Sequence, residues 1–392
     1  MTKQAKVSIR QVQYRDLSAI ARLVQQEDID IASPLETGLE EHIEHTKNNY
    51  GLVKLLDVFP NPNQYSFHGY VLEVNGELVA FVKISPFNSS QSTWRVDQVV
   101  VDSSFPKLEY HGSARQPGST LLRYCFDHVI EARNWLLEVN VNAKQTLSLY
   151  RQNGFQPLAE LTYWAIAPEI LSELALQEPA IPNLMPVSNA DARLLYQLDT
   201  ASMPPMLRQV FDRHVQDFKT SPVGNVIYRV ENWSKGLDIV EGYVFEPQRK
   251  AAIGYYAVEL AHRDDRPHQG RLTVHPAYTW LYPELFIKMS QIAQLRPEQP
   301  LYMTSTDYQP EREEIFNTMG ATQMEHTLLM SRSVWHKVRE TKRQEAWQLS
   351  GMLQGLQPIH TPIPSRINWF KNHPGLKLPK AGGEQNFLSE NH

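Results

Sequence analysis

The order of structural signals in the first half of this 392-residue chain recurs in the second half. Asp16, with Leu23 seven residues on, is echoed 175 residues later by Asp191 and Leu198. Ala80 and the strand residue Val101 are echoed by Gly254 and Val274, the latter pair of valines 173 residues apart. Tyr150 and Gly154 are echoed by Phe316 and Gly320, with 166 residues between the glycines. Near-constant offsets over half a chain point to a duplicated domain. Each half is long enough to bury a core of its own. The expected partition is a first domain at 1–166, a Pro-punctuated linker at 167–183, a second domain at 184–335 and a C-terminal helix and tail at 336–392.

Within the first half, strands and helices alternate, which predicts a mixed α/β fold. VSIRQV at 7–12 alternates apolar and polar residues, as a half-buried strand does. Asp16 then precedes Leu17, Ile20, Leu23 and Val24 at helical spacing. Asn75-Gly76 between two apolar runs predicts a hairpin over 69–84. WRVDQVVV at 94–101 reads as a fourth strand. A long loop leads to a helix at about 119–133, with Leu121, Leu122, Cys125, Phe126, Val129 and Ile130 on one stripe. A strand at 135–141, a helix around 143–153 and a strand at 161–166 complete the half.

Composition narrows the function classes. Net charge is −5, which argues against a general nucleic-acid binder. The charge is uneven: residues 337–392 carry a balance of +4 and the preceding 336 a balance of −9. The basic tail reads either as a strap for the parent fold, through Trp369 and Phe370, or as an arm for an acidic partner. A single cysteine, Cys125, excludes an intrachain disulfide and a cysteine-cluster metal site. The opening MTKQAKVSIRQ has no apolar run and no stretch approaches a membrane span, so a cytoplasmic protein is expected.

The most informative stretch runs from 99 to 132. A strand is followed by a loop with Gly112, Ser113, Gly118, Ser119 and Thr120, and the loop opens a helix. Small residues at a helix start let phosphate approach the backbone amides. This stretch, LEVNVNAKQTLSLYRQNGF at 137–155 and SIRQVQYRDLSAIARL at 8–23 together resemble the GNAT superfamily of acyl-CoA-dependent N-acetyltransferases. The phrase LSLYRQNGF at 147–155 carries most of that likeness. It covers 1–166 well and 184–333 in weakened form. The resemblance implies two mixed, mostly antiparallel, splayed sheets flanked by helices, the second degenerate. It also implies acetyl-CoA as acyl donor, wedged between the fourth and fifth strands, and no metal.

Residue by residue, the resemblance implies a carbonyl-polarising backbone N–H from Val99, Val100 or Val101. It implies a diphosphate site over Ser113, Ala114, Arg115, Gln116 and Gly118, with Ser119 and Thr120 as further donors and Asn142 in place of a displaced family asparagine. The family loop reads [Gln/Arg]-x-x-Gly-x-[Gly/Ala], and here only Gly118 keeps the pattern; Pro117 also removes a donor. Tyr150 matches the family's general acid, and Phe, which lacks a hydroxyl, stands at the matching position 316. Asp97 is either a base for the attacking amine or the partner of Arg95; Glu73 is a weaker base candidate and His111 a surface residue. Seven carboxylates lie between Glu27 and Glu44 with no Lys or Arg, either a solvated face or a wall that favours a small-molecule or peptide amine as acceptor. After RLTVHP at 271–276, AYTWLYPELFIKM has no glycine where the phosphate loop should be, and Trp280, Leu281 and Tyr282 would occlude a diphosphate. The reading is an N-acetyltransferase active through the first half. The alternative is a non-catalytic GNAT-fold protein that binds a ligand or partner. No nucleic-acid or membrane partner is expected.

Overall fold

The computed structural model describes residues 6–26, 68–102, 104–105, 108–110, 113–219, 237–262 and 266–334. The carboxylates from Glu27 to Glu44, His111, Gly112 and the tail from 335 therefore lie outside the described residues. The first half holds β1 (Val7–Gln11), α1 (Leu17–Gln26), β2 (Gly69–Val74), β3 (Glu77–Pro86) and β4 (Thr93–Val101). A short hairpin follows, β5 (Leu108–Tyr110) and β6 (Ser113–Arg115), then α2 (Pro117–His128), β7 (Asn134–Asn140), α3 (Lys144–Gln152) and β8 (Gln156–Ile166). The β2–β3 turn is the expected one, with Asn75 at φ 54° and Gly76 at φ 90°. Positive φ at both central residues is what a twisted two-residue hairpin requires.

Two expectations shift here. The helix after the long loop ends at His128, not near 133, and Ile130 stands 72% exposed in the turn instead of on the stripe. The chain has to reverse there to enter β7, so Val129 leaves helical geometry at φ −89°, ψ 84°. The stretch 167–183, expected as a linker, contains α4 (Pro168–Ala175). Pro168 sits in its first turn, and Leu171 and Leu174, three apart, bury on the second core.

The second half continues with β9 (Leu184–Pro186), α5 (Ala192–Ser202), α6 (Pro205–Phe211), β10 (Leu237–Glu246), β11 (Ala251–Ala261) and β12 (His268–Val274). It ends with α7 (Leu281–Ala293), β13 (Leu301–Thr306), α8 (Pro310–Thr318) and β14 (Thr322–Ser333). Gly154 and Gly320 play the same part after α3 and α8, at φ 84° and 80°. Each lets the chain leave a helix in a left-handed turn that a side chain would strain.

All strands except β5 and β6 join one twelve-stranded sheet in the order β1-β2-β3-β4-β7-β14-β8-β13-β12-β11-β10-β9. The centre is an exchange. β14, the last strand of the second half, lies between β7 and β8, and β8 lies between β14 and β13. The cores follow. Leu328 and Met330 of β14 bury among the α2 and α3 side chains of the first half. Trp164 and Ile166 of β8 bury among those of α4 and α7 in the second. Each such side chain contributes roughly 1.5–3 kcal/mol when buried. The other sheet face carries α1 on Val71, Phe81 and Val100, and α6 on Ala159 and Leu329.

A chain cut at the 183/184 bond tests the exchange. Fragment 1–183 alone leaves β7 and β8 without β14 between them, so it should be unfolded or aggregated by circular dichroism and gel filtration. The same fragment co-expressed with 184–392 should yield a soluble 1:1 complex. Two monomeric, cooperatively melting fragments made separately would contradict the exchange.

Candidate active site

Among the described residues, the parallel contacts of the first half lie where β4 meets β7, and they are brief. Three pairs hold them, Thr93↔Asn134, Trp94↔Trp135 and Arg95↔Leu136. Beyond these, β4 stays with β3 and β7 stays with β14, so the two strands part. A bulge in β4 coincides with the parting. Register jumps from Ile84↔Val96 to Lys83↔Gln98, leaving Asp97 as the extra residue. Past the bulge, the Asp102 amide donates to the Val79 carbonyl at 2.8 Å. Alternation then assigns the amide of Val100 to β3 and those of Val99 and Val101 to the opening. Of the three valines expected to offer a backbone donor, Val100 is therefore taken by β3. Its side chain is buried on the α1 face. Val99 and Val101 are half-buried and lie on the α2 face.

The loop expected to cradle a diphosphate is built differently from its sequence reading. Ser113, Ala114 and Arg115 form β6, paired to Tyr110, Glu109 and Leu108, so these three residues are strand and not turn. The added residues between β4 and α2 are used for this hairpin. Gln116 is exposed and caps α2 with φ −64° and ψ 145°, and Pro117 opens the first turn. The first intrahelical bond runs from the Thr120 amide to the Gln116 carbonyl at 3.0 Å. That leaves the amides of Gly118 and Ser119 as helix-end donors. The Thr120 hydroxyl donates to Gln116 O at 3.1 Å, and Ser119 Oγ accepts from Asn153 Nδ2 at 2.7 Å. Both hydroxyls thus serve the fold first. Arg115 is half-buried, and Asn142 is exposed in the turn before α3, its amide bonded to Asn140 Oδ1.

Gly118 is required by packing. A Cβ there would lie 3.1 Å from Leu149 Cδ2, 3.2 Å from Val101 Cγ2 and 3.4 Å from Val99 Cγ1. The glycine brings the start of α2 against both valines that line the opening.

Tyr150 on α3 is buried, its ring edge-on to Phe155 at 5.8 Å. Its hydroxyl has no hydrogen-bond partner among the described residues. Burial pushes the phenol above its ordinary value, so it stays protonated near neutral pH. Asp97 is also buried. Its Oδ1 accepts from Arg95 Nε at 2.6 Å and from Ser85 Oγ at 2.9 Å, so the pairing with Arg95 is realised. Its Oδ2 is buried with no partner among the described residues. Glu73 is held elsewhere, by Arg10 and Ser8. One residue escaped the sequence reading. Glu138 on β7 accepts from Tyr163 Oη and Thr327 Oγ1, each at 2.5 Å. Its sequence signal was a lone carboxylate inside the apolar run WLLEVNV.

The second half parts its strands in the same place. β12 and β13 share two pairs, His268↔Leu301 and Gln269↔Tyr302. Just past them, Met303 Sδ and Met289 Cε lie only 2.0 and 2.7 Å from where a Cβ on Gly270 would stand. Leu272 and Val274, the counterparts of Val99 and Val101, are buried, as are Leu281 and Tyr282. Trp280 is about half exposed and Phe316 fully buried. Among the described residues no group of metal ligands is present, and no helix is long and apolar enough to cross a membrane.

Replacing Gly118 by Leu should cost about 1–3 kcal/mol of stability through overpacking against Leu149, Val99 and Val101. A melting curve checks this. An unchanged midpoint would mean that α2 is free to move off the valines.

No protein-family model and no curated protein matches the sequence. Solved structures do match in shape. A tandem GNAT protein from the clavulanic acid biosynthesis pathway aligns with 84% of this chain and 99% of its own, at 12% identity and a TM-score of 0.50. A GCN5-related N-acetyltransferase from Sphaerobacter thermophilus aligns with 84% of this chain and 96% of its own, at 13% identity and a TM-score of 0.47. With its large mixed sheet, flanking helices and parted strands β4 and β7, the chain has the fold of the GNAT proteins.

Proposed function

We propose that the protein is an acyl-CoA-dependent N-acyltransferase, with acetyl-CoA as donor and an amine as acceptor, and that the first half carries the reaction. The observation that supports this is the contrast between the two partings. In the first, Val99 and Val101 are half-buried with amides turned to the gap, and the start of α2 lies against them. In the second, the counterparts Leu272 and Val274 are buried, as are Leu281 and Tyr282 at the start of α7.

The chemistry follows from these groups. The pantetheine arm would pair with β4 through the Val99 and Val101 amides, and the diphosphate would meet the amides of Gly118 and Ser119. A β4 amide polarises the thioester carbonyl where negative charge develops. The amine nitrogen forms the new N–C bond and the C–S bond breaks. Tyr150, protonated and desolvated, gives its proton to the departing sulfur. The proton lost by the amine leaves through Asp97, whose Oδ2 has acceptor capacity to spare. The residual acyl-CoA contacts are sparser than in the family pattern, since Pro117 has no N–H and the Thr120 hydroxyl already donates to the Gln116 carbonyl. That observation favours a second reading, a protein that keeps the fold and binds a ligand without turnover.

Two measurements decide. Acetyl-CoA should raise the melting midpoint, with about 2.7 kcal/mol of added stability at a hundredfold excess over Kd. No shift at millimolar acetyl-CoA would remove the acyl-CoA reading. With an acceptor in hand, Tyr150→Phe should lower kcat by roughly 10²-fold or more while leaving acetyl-CoA affinity unchanged, because the hydroxyl acts only as charge grows on sulfur. The ring stays, and Phe316 shows that this site in the fold accepts Phe. Full turnover in Tyr150→Phe would make Tyr150 a packing residue.

A further inference from the structure

One side chain, that of Asn153, ties the end of α3 to the start of α2. It stands 1% exposed, and its Nδ2 donates twice, to Ser119 Oγ at 2.7 Å and to the Leu149 carbonyl at 2.8 Å. The second bond fixes which way the amide faces. Turned over, the amide would set Oδ1 against the Leu149 carbonyl, acceptor against acceptor. Both Nδ2 hydrogens are therefore spent, and Oδ1 is buried with no donor among the described residues.

The consequence falls on Ser119. A serine hydroxyl has one hydrogen to give and two lone pairs to offer. Ser119 Oγ accepts from Asn153, so its own hydrogen is turned away from that amide. No acceptor takes it among the described residues. Side chains on a helix lean toward its N-terminus. The Ser119 hydroxyl thus leans toward the end of α2 at which the Gly118 and Ser119 amides precede the first intrahelical bond, that of Thr120.

Asn153 is in turn held from the other half of the chain. Arg332 of β14 donates through Nη1 to the Asn153 carbonyl, and its guanidinium lies over the Phe126 ring at 4.2 Å. The second half shows that the fold does not need this arrangement. Met319 precedes Gly320 as Asn153 precedes Gly154. The side chain nearest a Cβ on Gly320 is Ile170, at 3.2 Å, whereas the one nearest a Cβ on Gly154 is Arg332, at 3.5 Å. Apolar groups close the turn in one half, and an arginine with an asparagine closes it in the other. A buried polar set with one amide oxygen unsatisfied is the costlier way to close a turn. Its effect on the Ser119 hydroxyl accounts for it.

Resting on the proposed transferase reading, we infer that Asn153 is a positioning residue for acyl-CoA. By donating to Ser119 Oγ it turns the Ser119 hydroxyl hydrogen toward a diphosphate oxygen, beside the Gly118 and Ser119 amides. Arg332 keeps Asn153 in place, so the second half serves donor binding through β14. Ser119 touches the ligand; Asn153 and Arg332 act through it.

The test is a double-mutant cycle read by calorimetric titration of CoA into the full chain, with a melting curve on every sample. Ser119→Ala should weaken CoA about tenfold, as the loss of a hydrogen bond to a charged group does. Asn153→Met, the residue type found at 319, should weaken CoA severalfold in the wild-type background. In the Ser119→Ala background it should change nothing further, because no hydroxyl is left to turn. Arg332→Met should follow the same pattern with a smaller loss. If Asn153→Met does not melt cooperatively, Asn153→Ala takes its place in the cycle. Equal losses from the Asn153 variant in both backgrounds would make Asn153 a residue of the fold alone and overturn the inference. Wild-type CoA affinity in Ser119→Ala would overturn it whatever the Asn153 variants do. In either case CoA binding by the wild-type chain leaves the acyl-CoA reading standing, and no binding by that chain at millimolar CoA removes both.

Discussion

Everything in this molecule depends on the antiparallel pairing of β8 with β14 at the centre of the sheet. The register runs from Thr322↔Ala165 to Ser331↔Gln156, broken by two bulges. β7 completes its edge on β14, and β13 completes its edge on β8. Without the pair, two five-stranded pieces would expose unpaired edges, and each core would lose large side chains supplied by the other half. The two halves thus share one sheet and exchange core side chains.

The same arrangement explains how two strands can part inside a continuous sheet. β4 and β7 part after three pairs, yet neither is left dangling, because β3 and β14 hold their outer edges. Asp97, the bulged residue, turns the β4 alternation so that Val96 and Val99 both belong to the α2 side. The bulge therefore decides which amides look into the gap. In the second half β11 and β12 pair without a register shift, and Leu272 and Val274 are buried. The difference between the halves is physical: a bulged strand beside half-buried valines, against a regular strand beside close-packed methionine and leucine.

Local signals were readable in the sequence and long-range ones were not. Asn75-Gly76, the alternation of 7–12 and the paired glycines 154 and 320 announced their structures because each is set by backbone sterics within a few residues. The GNAT fold followed from the LSLYRQNGF phrase and the repeat. The exchange of β8 and β14 was invisible, since either strand would satisfy either neighbour by its apolar pattern. The β5–β6 hairpin was hidden because its strands are three residues each. Val100 was grouped with Val99 and Val101 because VVV carries no alternation of its own; only the register to β3 separates them. Glu138 was missed for a related reason, as its partners Tyr163 and Thr327 lie 25 and 189 residues away.

Those distant partners also bear on how β14 is held by the first half. If the second half only stiffened the first, apolar contacts from β14 would suffice, and Leu328 and Met330 provide them. Thr327 does something else. It is fully buried, and its hydroxyl goes to a carboxylate on the other half's fifth strand at the parting. Burying a hydroxyl is unfavourable unless it is bonded, and a carboxylate beside it is more costly still without donors. A Val at 327 and an apolar residue at 138 would pack the same strands at lower electrostatic cost. The polar pair therefore fixes how β14 and β8 sit on β7 by directed bonds that apolar packing alone would not supply.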